Sequence, residues 1–145
     1  MMRLRLILLL TGLPGLAVAQ PATPVGRWLT EKHDGVIEIA PCGASLCGRI
    51  VGMQTPLGAD GRPARDTTGV PKCGLRIIDQ TEQRAPDQWH AAILDPDTGR
   101  NWNCDFTVAP DGTLHLRGYV VIRALGETQV WSRYQGQLGA DCRMG

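Results

Sequence analysis

From Val25 onward the chain reads as short runs of alternating apolar and polar residues, each closed by glycine, proline, aspartate or asparagine. No segment there carries a long helical period. The runs fall at 25–30, 35–40, 47–53, 74–79, 88–94, 101–108, 113–123 and 127–134. Eight short strands with turn signals between them predict an all-β sandwich or antiparallel barrel. The turns have mechanisms: Asp95-Pro96-Asp97-Thr98-Gly99 and Pro110-Asp111-Gly112 pair a proline that presets φ with a glycine that accepts positive φ. Ala124-Leu125-Gly126 reads as the tight turn of the last hairpin. The 54–72 stretch, with Pro56, Gly58, Gly61, Pro63, Gly69 and Pro71, is the one long connection. A loop of that length is either functional or simply mobile.

Alternation sorts side chains by face. Trp102, Cys104, Phe106 and Val108 share one side of the sixth run. In the seventh, Leu114, Leu116, Gly118, Val120 and Ile122 oppose His115, Arg117, Tyr119, Val121 and Arg123. In the eighth, Glu127, Gln129, Trp131 and Arg133 oppose Thr128, Val130, Ser132 and Tyr134. Both faces of the last two runs are mixed, so the pattern leaves open which is inside. A closed barrel with polar and aromatic groups in its lumen accommodates either choice.

The first residues change the expected compartment. Met1-Met2-Arg3-Leu4-Arg5, an apolar run and Ala17-Val18-Ala19 before Gln20 predict a secretory signal over 1–19, cleaved from a periplasmic or secreted product. The apolar run is shorter than the roughly 20 residues a bilayer span needs. A linker at 20–24, a barrel domain at 25–135 and a tail at 136–145 follow. About 125 residues suffice for one domain with a real core. The formal net charge of +1 becomes −1 without Arg3 and Arg5, which leaves no basic footprint for nucleic acid.

Five cysteines, Cys42, Cys47, Cys73, Cys104 and Cys142, suit an oxidising compartment. Cys42 and Cys47 flank a hairpin-sized loop, where Cα atoms about 5.5 Å apart are attainable, and are expected to pair. Their spacing is not that of a redox-active Cys-x-x-Cys pair. His33, His90 and His115 are too scattered for a metal site, and Asp95, Asp97 and Gly99 lack the rest of a calcium loop. No nucleophile–base set and no cofactor motif is legible, so an enzyme is not expected.

Two constellations remain. Gly26-Arg27-Trp28 with Arg133 looks like the lipocalin arrangement, in which a first-strand tryptophan packs at the closed barrel end under a last-strand arginine. That pair is expected to close the barrel. Arg117, Tyr119, Gln129 and Trp131 cluster on facing strands and form a candidate site for a polar head beside an aromatic wall. A surface ladder of long side chains over the sheet explains the same four residues and weighs slightly more.

The segments Gly26-Arg27-Trp28-Leu29-Thr30, Val36 through Gly43, Leu46 through Val51, Cys73-Gly74-Leu75, Asp95 through Gly99, and Arg117 through Arg133 together resemble domain-of-unknown-function family 2147 of small exported bacterial proteins. The resemblance implies a single antiparallel up-and-down β-barrel of about eight strands, lipocalin-like (calycin) in type. It implies no activity, ligand or catalytic residue. It also implies a second disulfide, Cys73–Cys104, because these resemble positions the family fills together. The tie of a C-terminal tail to the barrel, common in lipocalins, makes Cys73–Cys142 the rival pairing. The function expected is binding of a small apolar or amphipathic molecule at an end ringed by the 54–72 loop and the 95–99 turn. The alternative is a filled barrel acting as an envelope protein-interaction or stress module, whose partner the sequence does not identify.

Overall fold

The computed structural model describes residues 22–145; the expected signal at 1–19 and the first linker residues lie outside the described residues. Eight strands, β1 (Gly26–Leu29), β2 (Gly35–Cys42), β3 (Ser45–Met53), β4 (Arg76–Ala85), β5 (Gln88–Leu94), β6 (Asn101–Val108), β7 (Leu114–Tyr119) and β8 (Glu127–Arg133), close into one barrel. Each pairs antiparallel with its neighbour in sequence, and β8 returns to β1 through Trp28 opposite Arg133. The expected up-and-down barrel is thus the architecture found.

Alternation makes the core. Ile39, Ile50, Ile78, Trp89, Cys104, Phe106, Leu114, Leu116 and Trp131 come from seven successive strands, and all are buried in one cluster. Burying each large apolar side chain contributes roughly 1.5–3 kcal/mol. Rows of cross-strand partners stack within the barrel: Trp89 opposite Phe106, their rings 5.9 Å apart, then Phe106 opposite Leu116. The turns at 95–99 and 109–112 place Gly99 at φ 73° and Gly112 at φ 85°, the left-handed conformation their sequence motifs anticipate.

β4 departs from its expected bounds. It runs on to Ala85 through the polar stretch Asp79–Arg84, pairing with β5 across two register shifts. Backbone hydrogen bonding holds this stretch in the sheet although its residues are too polar to signal a strand. The 113–123 run departs in the other direction, since β7 ends at Tyr119 and a 3₁₀ turn spans Arg123–Leu125. The expected tight hairpin is therefore a longer flap.

Cys42 and Cys47 are bridged, with Cα atoms 5.7 Å apart, as the hairpin spacing anticipates. The second bridge is Cys73–Cys142, not the favoured Cys73–Cys104. Cys104 points into the lumen from β6, opposite Ala91 and Gly118, and is a free, buried thiol. Cys73 stands instead just before β4, beside the end of β3, and the tail arrives there. The Met53 N–H donates to the Cys142 carbonyl at 2.6 Å, and the Met144 N–H donates to the Met53 carbonyl at 3.3 Å. Further back the tail sets Leu138 over the outer face of β2 and β3. A Cβ on Gly52 would come within 2.8 Å of both Leu138 and Val36, so the absence of a side chain at this position gives the tail its seat. Val36 is fully buried beneath it on the outer side of the barrel.

Candidate functional site: the open end of the lumen

At one end of the barrel Trp28 is fully buried and its indole N–H donates to the Pro24 carbonyl at 2.7 Å. The Arg133 guanidinium lies 3.8 Å from the Trp28 ring centroid and donates to the Val25 and Thr23 carbonyls at 2.7 and 2.6 Å. Burial lowers the pKa of Arg133 from its ordinary value, yet a guanidinium keeps its charge at any physiological pH. Charge, ring and chain carbonyls meet at this end.

The opposite end carries the 30–34 turn, the 54–72 loop, the 95–99 turn and the 120–126 flap, all of which connect strands there. The 54–72 loop is internally built. One Asp66 oxygen accepts from the Thr68 N–H at 2.8 Å and from the Val70 N–H at 2.9 Å, and the Ala64 N–H donates to the Pro56 carbonyl at 2.9 Å. Lys72 forms an ion pair with Asp97, which ties this loop to the 95–99 turn. Beneath these connections a cavity of about 500 Å³ opens among β5, β6, β7, β8 and the flap.

Register explains its lining. Ile93 faces Trp102, Leu116 faces Gln129, Gly118 faces Glu127, and Leu114 faces Trp131 across adjacent strands, so all project inward. Ile93, Trp102, Leu116 and Trp131 make the apolar wall, and Leu125 from the flap overhangs it while 81% exposed. Gly118 leaves the space in front of Glu127 empty: a Cβ there would meet nothing nearer than the Asn103 carbonyl oxygen at 4.0 Å. Gln129 Oε1 accepts the Trp131 indole N–H at 2.8 Å, which leaves its amide nitrogen to donate elsewhere.

The four residues of the sequence-derived cluster are thereby divided. Gln129 and Trp131 line the cavity, whereas Arg117 and Tyr119 alternate to the outer face with His90, Asp105 and Thr128. Arg117 donates to the Arg123 carbonyl at 2.8 Å, to the Ala124 carbonyl at 3.2 Å and to Thr128 Oγ1 at 2.9 Å. It thereby holds the far side of the flap, at Arg123 and Ala124, against β7 and β8. Asp105 pins the same segment by accepting from Arg123 Nε at 2.9 Å. Its other oxygen lies 2.7 Å from His90 Nδ1, and because a carboxylate only accepts, that nitrogen carries the proton. The Tyr119 hydroxyl is 3.5 Å from the same oxygen, at the edge of hydrogen-bonding range.

A second depression, about 610 Å³, lies along this outer face and includes Arg84, His115, Arg117, Arg123 and Asp105. It is the larger of the two, but Arg117, Arg123 and Asp105 spend their hydrogen bonds on one another and on the flap. We therefore place the candidate site in the lumen.

Burial raises the Asp105 carboxyl, but the hydrogen bonds from His90 and Arg123, together with their charges, outweigh it and hold the pKa below its ordinary 3.8. A depressed carboxylate contributes stability that is present above the unfolded value and is lost as pH falls through the folded one. Asp105→Asn is accordingly expected to flatten the fall in urea midpoint between pH 5 and pH 2.5. It is also expected to speed amide exchange in 120–126 at neutral pH; exchange unchanged from wild type would deny Asp105 its hold on the flap.

Among the described residues no group of three His, Cys, Asp or Glu is placed to hold a metal ion, and no helix is long and apolar enough to cross a membrane. The lining residues beyond Gln129, Trp131 and Asp95 of the 95–99 turn escaped sequence reasoning. Trp102, Leu116 and Glu127 do share faces with Phe106, Leu114 and Trp131 in the alternation, and tying the three faces together needed only the register.

An eight-stranded antiparallel barrel with a stacked tryptophan and arginine at one end and a cavity at the other is a lipocalin-like barrel. The solved structure of protein HP1028 from the human pathogen Helicobacter pylori, described as belonging to the lipocalin family, is similar to it in fold. That match has a TM-score of 0.61 and 13% sequence identity, and it covers 82% of this chain and 85% of the other. No curated protein sequence matches significantly. The chain belongs to the bacterial family described as "Uncharacterized protein conserved in bacteria (DUF2147)", which matches residues 26–133.

Proposed function

We propose that this protein is an exported carrier or receptor of a small apolar or amphipathic molecule held in the open end of its barrel. The cavity carries the reading. Its volume, about 500 Å³, falls in the range typical of small-molecule sites, roughly 300–1,000 Å³. Its apolar wall ends at a polar rim, the arrangement an amphiphile requires. Gln129 and Trp131 contact the ligand, while Arg117 and Tyr119 act indirectly, Arg117 by holding the flap that brings Leu125 over the mouth. Two disulfides support the exported compartment, because cytosolic thiols are kept reduced.

Native mass spectrometry of protein recovered from a bacterial periplasm tests the reading. An extra mass that vanishes on denaturation is expected in the wild type and absent from Gly118→Trp, whose indole fills the mouth. Gly118→Leu obstructs it less and is expected to reduce the adduct. A Cβ at 118 meets nothing nearer than 4.0 Å, so both side chains begin in open space, and urea midpoints of the two variants check that they remain folded. If neither wild type nor variant carries an adduct, and added amphiphiles do not bind, the lumen is not a ligand site.

The second reading, a module that recognises another protein, draws on Val120, Val121 and Ile122, which expose 50%, 83% and 55% of their surface on the flap. A stoichiometric periplasmic partner lost in Val121→Asp would favour it.

A further inference from the structure

We infer that the lumen selects amphiphiles whose head is an ammonium or a neutral hydrogen-bond donor, and discriminates against carboxylate heads. This rests on the lumen being the ligand site and concerns what its rim recognises. The charged groups lining the cavity are Asp95 and Glu127, both acidic. Asp95 is committed to its own turn, accepting from the Asp97 N–H at 2.9 Å and from Thr98 Oγ1 at 2.8 Å.

Glu127 is different. It stands opposite Gly118, above the space that the missing side chain leaves. Among the described residues its carboxylate takes part in none of the ion pairs or side-chain hydrogen bonds. A head group lodged at the mouth thus meets an acceptor-only carboxylate, with the free amide nitrogen of Gln129 one row deeper. An ammonium gains Coulomb energy there, a hydroxyl or amide gains hydrogen bonds, and a carboxylate meets like charge over a low-dielectric wall.

The cations nearby do not reverse this. Arg117 and Arg123 face outward and hold the flap. Lys72 is paired with Asp97. Arg100 rests over the Trp102 ring, 5.4 Å from its centroid, and does not line the cavity.

The experiment is calorimetric titration of the purified protein at neutral pH with three twelve-carbon probes, dodecylammonium and dodecanoate below their micelle concentrations and dodecanol below its solubility limit. Dodecylammonium is expected to bind at least tenfold more tightly than dodecanoate, about 1.4 kcal/mol, with dodecanol between them. Glu127→Gln should narrow that ratio to within about threefold, and Glu127→Lys should invert it. Glu127 is exposed, so neither change threatens the fold. Equal affinities for all three probes, abolished by Gly118→Trp, would overturn the head-group inference and leave the lumen as the site. A dodecanoate preference that disappears in Arg100→Gln would overturn it in favour of Arg100. No binding of any probe to the wild type would remove both the inference and the lumen reading.

Discussion

Trp28→Ala is expected to destabilise the domain by about 3–5 kcal/mol, the usual range for deleting a large aromatic side chain from a core. The size of the effect follows from three losses at one place. The indole is fully buried, so its removal leaves a void at the closed end of the barrel. Its N–H no longer meets the Pro24 carbonyl, and the Arg133 guanidinium loses the ring on which it rests. A domain of this size has roughly 5–15 kcal/mol in total, so the variant should sit near the edge of folding. Urea midpoints measure it, with Trp28→Phe as the milder comparison that keeps a ring under the arginine. An alanine variant within about 1 kcal/mol of wild type would mean that this end is not sealed by the tryptophan.

The two disulfides are expected to contribute unequally. Cys73–Cys142 spans a sequence separation of 69, and Cys42–Cys47 spans 5. If stabilisation comes from the entropy removed from the unfolded chain, the long bridge is worth about 4 kcal/mol and the short one about 2. Cys73→Ser with Cys142→Ser should therefore lower the urea midpoint about twice as far as Cys42→Ser with Cys47→Ser. The long pair has a further signature, because without it the tail should lose protection around Met53 and Leu138 in hydrogen exchange. Equal losses from the two pairs would show that strain or residual structure, not loop closure, sets their contributions.

Legibility of this fold in sequence followed the range of the forces involved. β5 and β6 have the bounds that alternation predicts, since strong turn chemistry at Asp95–Gly99 and Pro110–Gly112 marks their ends. β7 does not, because Val120-Val121-Ile122 is as good a strand sequence as any in the chain. It leaves the sheet where Arg117 holds two carbonyls six and seven residues away and Asp105 holds Arg123. Such a side-chain contact has no periodicity to read. The second disulfide stands in sequence only as the rival pairing for a related reason: what decides for Cys142 over Cys104 is that the tail runs beside β3. At the site, alternation already placed Gln129 with Trp131 and Arg117 with Tyr119. What it lacked was the register between β7 and β8, which sends the first pair inward and the second outward.

The seam between β1 and β8 also sets an order of events. Arg133 reaches the carbonyl of Thr23 across 110 positions of sequence, and the tail that bridges to Cys73 comes later still. A chain emerging N-terminus first exposes Trp28 long before its partner exists. Until β8 is delivered, β1 has no strand to pair with on that edge. Closure depends on contacts of the longest range in the molecule, which form slowly. The vulnerable interval of this protein is therefore the time between synthesis of its first strand and arrival of its last.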